Sequence, residues 1–333
     1  MATCPPPPAL EQMSHINESI QIPDHLSGQR LDVALAELYP DFSRSRLKHW
    51  IEQGQILLDG QQVKPKTRVI AEQILQLDVA FEDANQTCEA EAIPLDVVFE
   101  DPHLLVVNKP AGLVVHPAAG HASGTLQNAL LYHTPACQHV PRAGIVHRLD
   151  KNTTGLMVVA KTLEAHHALV AQLQVRDMHR EYQAVVQGVM TGGGTVDQPI
   201  GRHPHDRKKM TVREDGKPAV THYRVLQRHR AHSHIHVQLE TGRTHQIRVH
   251  MQHLRYPIVG DPVYGGRSKL PPAASEQLVA QLGAFRRQAL HAWRLSLCHP
   301  VSGEAMQWQA PLPDDMQHLL DVLQQDSKQH DSH

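Results

Sequence analysis

The stretch Gly144-Ile-Val-His-Arg-Leu-Asp150-Lys-Asn-Thr-Thr-Gly155-Leu-Met-Val-Val-Ala160 decides how the chain is to be read. Leu156 to Ala160 is apolar without a break and is bounded by Gly155 and Lys161, the pattern of a strand covered on both faces. Asp150 to Gly155 has the Asp, Asn, Thr and Gly composition of a turn. The spacing therefore predicts an aspartate on a loop held against a buried strand, with Arg148 and Lys151 close to it in sequence. Positive charge beside a carboxylate favours its ionised form, the form that a nucleophile or general base needs at neutral pH. The same residues also read as an Asx-turn opening a strand, with the two bases solvating its rim.

A strand buried on both faces needs layers around it, and the flanking sequence supplies them. On the C-terminal side, Leu163 to Val175 has helical periodicity, and Arg180 to Val186, Lys217 to Val225 and His232 to Leu239 read as strands. Thr241 to His250 turns from strand into helix, with Gly242 as the bend and Thr244 as the cap. Strands at Leu290 to Cys298 and near Met306 to Gln309 follow, then a helix from about Asp314. On the N-terminal side, Leu95 to Phe99 and Leu104 to Val107 are strand-like and Thr125 to His133 helical. Strands outnumber helices and do not alternate with them, which predicts an α+β domain with a mixed, largely antiparallel sheet flanked by helices.

Ahead of this domain the pattern changes. Residues 1–26, with their proline run, read as a flexible leader with a short strand at its end. From Gly28, one helix face carries Leu31, Ala34, Leu35 and Leu38, and a second helix starts at Ser43 and stops at Gly54. Ile56 to Leu58 and the Asp59-Gly60 turn suggest a hairpin continuing to Ile74–Leu77. Arg44 and Lys48 lie one helical turn apart, and Lys64, Lys66 and Arg68 alternate as on one face of a strand, so both sets are placed to meet phosphates. Residues 82–92 are polar and acidic and read as a linker, 93–325 as the large domain, and 326–333 as a disordered tail.

A formal charge of −2 excludes a protein that coats nucleic acid indiscriminately, so any RNA-binding surface must be local. The densest basic run holds Arg202, Arg207, Lys208 and Lys209, with Asp206 its one acid. The cysteines at 4, 88, 137 and 298 are widely spaced, which argues against a zinc ribbon or a disulfide framework and suits a reducing, cytoplasmic compartment. No apolar run approaches the roughly 18 residues of a spanning helix. His232, His234 and His236 share a strand face, and alternate histidines are able to ligate a transition metal; the spacing equally fits an exposed strand face.

His147-Arg148-Leu149-Asp150-Lys151, followed by Thr-Thr-Gly and Leu-Met-Val-Val-Ala-Lys, resembles the signature of the RluA-type pseudouridine synthases, whose invariant feature is this aspartate. Arg180-Glu-Tyr182-Gln-Ala-Val-Val186 resembles that family's second motif, Thr241 to His250 its third, and Asn108-Lys109-Pro110 to Pro117 and Gly260-Asp261-Pro-Val-Tyr264-Gly265 further family stretches. Ser27 to Phe81 resembles the S4 RNA-binding module. The resemblance runs to about residue 320 and looks like the D branch of the family, implying uridine in the helix 69 stem-loop of 23S ribosomal RNA as substrate. It implies the pseudouridine synthase fold behind an S4-like domain. It also departs from the common family form at Asn152, where many members have Asp, and Thr154, where many have Ser.

The resemblance implies an isomerase that needs no cofactor or metal, working as a monomer on 23S ribosomal RNA or a large-subunit particle, away from membranes. Asp150 either attacks covalently or abstracts a ribose proton. Arg248 pairs with it, Tyr182 lies beside the target base with Ile247 packed under it, and Arg148 either fills the space that the flipped uridine leaves or contacts phosphate. His147, Lys109, Arg243, Arg202, Arg207, Lys208, Arg44 and Lys48 are the further substrate-binding candidates. The competing expectation is a catalytically inactive S4-domain RNA-binding assembly factor.

Overall fold

The computed structural model describes residues 14–39, 42, 44–81, 88–117, 123–206 and 208–331. The chain divides into two compact units, the second beginning at Cys88.

The first unit contains β1 (Ser14–Gln21), α1 (Leu31–Leu38), α2 (Arg44–Glu52), β2 (Ile56–Leu58) and β3 (Ile74–Phe81), its strands forming an antiparallel sheet in the order β1-β3-β2. The helical spacing of Leu31, Ala34 and Leu35, and of Leu47, Trp50 and Ile51, turns one face of each helix onto Leu75, Leu77 and Val79 of β3. Two expectations are corrected. Residues 14–21 form the strand expected at the end of the leader, but they belong to the folded unit and not to a flexible segment, because β1 pairs along its whole length with β3 and Ile16 and Ile20 pack on the core. Lys64 to Arg68 is not a strand: Pro65 lacks an N–H for a ladder, Lys64 and Thr67 close a turn at 2.9 Å, and β2 takes β3 as its partner instead. Ser43, the expected start of the second helix, lies outside the described residues; α2 runs from Arg44.

The second unit is a long sheet with helices against it. Its elements are β4 (Val97–Glu100), β5 (Leu104–Lys109), α3 (Leu126–His133), β6 (Thr154–Ala160), α4 (Leu163–Gln174), β7 (His179–Gln187), β8 (Gly194–Asp197), β9 (Ile200–Arg202), β10 (Met210–Val212), β11 (Val220–Arg228), β12 (His232–Leu239), α5 (Gln246–His253), α6 (Glu276–Ala284), β13 (Leu290–Cys298), β14 (Ala305–Gln309) and α7 (Asp314–Asp331). The main sheet runs β4-β5-β6-β13-β7-β12-β11-β8, with β14 paired to β13, while β9 and β10 form a separate ribbon. Every pairing is antiparallel except β6 with β13, so the expected α+β class and largely antiparallel sheet are what the chain forms. β6 is buried at every position, as its unbroken apolar run predicts. Gly155 is required there: its φ is 114°, and a Cβ would stand 2.2 Å from the Ala292 carbonyl oxygen of β13.

Three boundaries and one strand face differ from expectation. Cys88 to Glu91 belongs to this unit rather than to a linker, since Cys88 joins the main core, and the Asn128 side chain, which also caps α3 with Thr125, donates to the Glu89 carbonyl at 2.7 Å. The residues from 326 are helical to Asp331, because Asp326 is buried and accepts from Arg230 and the Ser275 amide, which anchors the last turns of α7. α5 is capped not by Thr244 but by His245, in the left-handed region at φ 58° without a side-chain cap. The histidine face of β12 is not exposed: His232 is fully buried, His234 meets Gln183 at 2.8 Å and His236 meets Glu181 at 2.6 Å across the β7 ladder. β7 thus occupies two of the three rings that a metal would need.

Candidate active site

The Asp150 loop is strapped to β6 before it reaches its aspartate. Arg142, Ala143 and Gly144 all have positive φ, Ile145 bridges to Val159, and the Val158 N–H donates to His147 Nε2 at 3.1 Å. Burial, with the charge of Arg180 added to it, lowers His147 to about 3, so the ring stays neutral and able to accept that bond. After Asp150, the Thr153 amide donates back to the Asp150 carbonyl at 3.0 Å and the Thr153 hydroxyl accepts from Gln288 at 2.9 Å. Thr154, the departure noted above, keeps its hydroxyl in use, at 2.8 Å from His291 Nδ1.

The carboxylate that this loop presents is held by α5. Arg248 Nη1 donates to Asp150 Oδ2 at 2.9 Å, while its Nε and Nη2 donate to the two oxygens of Asp261 at 2.7 and 2.9 Å. Asp261 is itself fixed, accepting the Val263 and Tyr264 amides at 2.9 and 3.0 Å. Burial opposes the Arg248 charge, but Asp261 and then Asp150 outweigh it and hold the guanidinium above its ordinary value. Its Cζ lies 5.0 Å from the centre of the Tyr264 ring. His245 stands 3.9 Å from the other Asp150 oxygen and is turned by its 2.8 Å bond to the Tyr264 hydroxyl. Burial draws His245 below its ordinary value, with Asp150 pulling the other way.

Asp150, Arg148, His147, Tyr182, Arg243, Ile247 and Arg248 line one cavity of about 620 Å³. That volume lies within the usual range for small-ligand sites. Tyr182 is buried on β7 between Val237 and Ala292 on the neighbouring strands, and burial pushes its phenol above the ordinary value, Arg180 opposing and Asp150 adding. Ile247 is in the first turn of α5, and Arg148 is exposed at the rim.

The other candidates fall elsewhere. Lys109 is corrected: it is 1% exposed and its ammonium donates to the carbonyls of Pro110, Leu113 and Lys151 at 2.7, 3.0 and 3.0 Å, so it ties the loops from behind and has no reach to a phosphate. Burial lowers it to about 7, Asp150 opposing and Arg287 adding. Arg202 and Lys208 do not line the cavity, and Arg207 lies outside the described residues. Arg44 is bound to Asp32 at 2.8 Å and Lys48 stands 3.6 Å from Glu52. Sequence reasoning left three residues without roles: Asp261, His245 and Arg180. Asp261 sits in a stretch that resembles one of the family's, but nothing in the spacing says that an acid 13 residues after Arg248 will clamp it.

Comparison with known proteins agrees with this geometry. A model of the RNA pseudouridylate synthase family matches residues 103–253, and one of the S4 domain matches residues 29–74. A Pseudomonas aeruginosa protein named ribosomal large subunit pseudouridine synthase D is 58% identical over 93% of this chain and 97% of its own length. The chain belongs to the RNA pseudouridylate synthase family. A Salmonella typhimurium pseudouridine synthase of the same name is 55% identical over 91% of this chain and 93% of its own. Among solved structures, the human RNA pseudouridylate synthase domain containing 4 matches with a TM-score of 0.54 and 29% identity, over 68% of this chain and 92% of that one. The second unit thus has the pseudouridine synthase fold and the first is an S4 domain, as the motifs imply.

Proposed function

We propose that this pseudouridine synthase modifies 23S ribosomal RNA, at uridines of the helix 69 stem-loop, with Asp150 acting on C1′ of the flipped nucleotide. The observation that carries the reading is the Asp150 carboxylate at the cavity wall: Arg248 holds one oxygen at 2.9 Å, and the other has no hydrogen bond among the described residues. One oxygen is oriented and one is left for chemistry. The isomerisation conserves atoms. The N1–C1′ bond breaks, the base turns, C5 bonds to C1′, the proton leaves C5 and N1 gains one. Asp150 serves as nucleophile at C1′ or as base toward the ribose.

Tyr182 and Ile247, on the same cavity wall, suit a stacking and packing role for the base, and Arg148 at the rim suits the space that flipping vacates. Extracting the uridine costs a few kcal/mol, which phosphate contacts from the S4 domain help to offset. The names of the relatives support the large-subunit RNA as target. The protein works as a monomer in the cytoplasm, on naked RNA or on a large-subunit particle, and among the described residues no helix is long and apolar enough to cross a membrane. A noncatalytic assembly factor would have no use for the intact Asp150–Arg248–Asp261 arrangement. Mapping pseudouridine in ribosomal RNA from cells with and without the protein tests the reading. Sites in helix 69 that vanish with the protein are expected, and an unchanged map would overturn it.

A further inference from the structure

One buried cation in the cavity has no counter-charge among the described residues. Arg180, on β7 two residues before Tyr182, is 8% exposed and lines the cavity, yet its Nε is sealed from solvent without a hydrogen-bond partner among the described residues. The acids nearby are engaged elsewhere: Glu181 to His236 at 2.6 Å, Glu240 to His222 at 2.7 Å and to Arg176, and Asp150, on the same cavity wall, to Arg248 at 2.9 Å. A buried, unpaired guanidinium is costly and persists where something else supplies the opposite charge.

The fold makes room for this side chain. A Cβ on Gly242, also on the cavity wall, would stand 2.7 Å from Arg180 Nη1, so residue 242 has to lack a side chain for the guanidinium to keep its place. The glycine answers to space and not to backbone, since its φ is not in the left-handed region. His147, whose ring Arg180 influences, is neutral and supplies no charge.

Resting on the function proposed above, we propose that Arg180 binds a backbone phosphate flanking the reacting uridine, so that the nucleotide is gripped at its base by the Tyr182 side and at its phosphate by Arg180. Residues i and i+2 of a strand share a face and stand roughly 6.5–7 Å apart, a spacing on the scale of a nucleotide's base from its own backbone. A uracil carbonyl is neutral and would leave the buried charge uncompensated. A phosphodiester both neutralises it and matches the planar fork.

The test uses the full-length protein and a helix 69 stem-loop in which the loop phosphates are replaced one at a time by uncharged methylphosphonates. Neutralising a phosphate beside the reacting uridine should weaken binding to the wild-type protein by about tenfold, the scale of one charge-assisted hydrogen bond. In Arg180→Gln the same replacement should cost less than about twofold. Gly242→Ala, which keeps the arginine but crowds it, should also shrink the penalty, and it decides the matter alone if Arg180→Gln does not fold. Equal penalties in variant and wild-type protein, or no penalty in the wild type, would overturn the role of Arg180. Pseudouridine formation on the unmodified stem-loop is read separately: its absence would overturn the substrate assignment and this proposal with it, whereas product formed with unchanged penalties would overturn Arg180 alone.

Discussion

The S4 domain and the catalytic unit each contain a three-member ionic cluster, and the two are built with opposite polarity. In the S4 domain one buried acid serves two arginines. Asp32 accepts from Arg30 at 2.9 and 3.0 Å and from Arg44 at 3.1 and 2.8 Å, and both arginines keep about half their side-chain surface in solvent. In the catalytic unit one buried arginine serves two acids, of which Asp261 is fully enclosed and Asp150 remains 17% exposed. The first arrangement satisfies its acid and leaves basic surface outward. The second satisfies its arginine and leaves half a carboxylate facing a cavity. Which member keeps exposed surface separates a cluster that leaves basic surface in solvent from one that leaves a carboxylate oxygen at a cavity.

Breaking the catalytic cluster at its exposed member should give the largest effect. Asp150→Asn keeps size and hydrogen-bonding reach toward Arg248 but removes the nucleophile or base, so turnover should fall by more than about 10³-fold. RNA affinity should stay within about tenfold, because it comes mainly from phosphates. Single-turnover assays beside filter binding measure both, and turnover near wild type would remove Asp150 from the chemistry.

The next effect comes from the cluster's hidden members. Arg248→Ala strands the Asp261 charge inside the protein, a change of the kind that costs about 3–5 kcal/mol. Asp261→Asn is gentler and leaves Arg248 half held. Misplacing the reacting group by about 1 Å costs on the order of 10²-fold, so kcat should drop by about that factor in Asp261→Asn with the RNA Kd little changed. A loss confined to Kd would make Arg248 an RNA ligand rather than the support of Asp150.

These clusters also mark what sequence alone makes legible. Asp150, Arg248, Tyr182 and Ile247 are recognisable because motif and local pattern coincide at each: a turn before an unbroken apolar strand, an alternating strand, a bend into a helix. Lys109 is misread because a lysine at a strand end looks the same whether it faces water or three carbonyls, and only the approach of the Lys151 and Leu113 backbones distinguishes the cases. Strand β1 is legible only as a short strand ending a flexible leader, for a similar reason. Its partner β3 lies more than 50 residues along the chain, and its mixed polar sequence becomes a strand through that pairing rather than through periodicity. Asp261 and Arg180 lie within motifs whose spacing shows no role for them, since a role as clamp or as unpaired cation is a property of neighbours.

Breaking the S4 cluster should cost less and only locally. Asp32→Asn removes charge from four hydrogen bonds whose arginine donors are half in solvent, so a loss of about 1–3 kcal/mol in the stability of that unit is expected. Burial raises the Asp32 carboxyl, but Arg30 and Arg44 outweigh it and hold it below its ordinary value. The unfolded chain therefore binds the proton first as pH falls. The contribution of Asp32 is fully present above about pH 3.9 and disappears as pH drops through the lower folded value. Urea titrations of wild type and variant should converge at the acid end of that window. A difference that persists there would mean the arginines are held by something other than the carboxylate charge.

The smallest expected change tests what the outward bases of the S4 domain are for. Lys48 lies one turn after Arg44 on α2 and stands 3.6 Å from Glu52, with both side chains about half exposed. A pair of that kind contributes less than about 1 kcal/mol, and within a helix about 0.3–0.5, so Lys48→Ala should leave the unfolding midpoint nearly unmoved. Its effect belongs in RNA binding. If Lys48 meets one phosphate, its loss should reduce the slope of log K against log salt by roughly 0.7–0.9, with the same change for every RNA sequence, because a phosphate contact carries no base information. Arg44→Ala on the same helix should alter both stability and slope, since Arg44 also holds Asp32. Binding titrations at several salt concentrations separate the two. A Lys48→Ala protein with an unaltered slope would show that this face of α2 does not meet RNA, and the exposed arginines of the S4 cluster would then be structural like the acid they enclose.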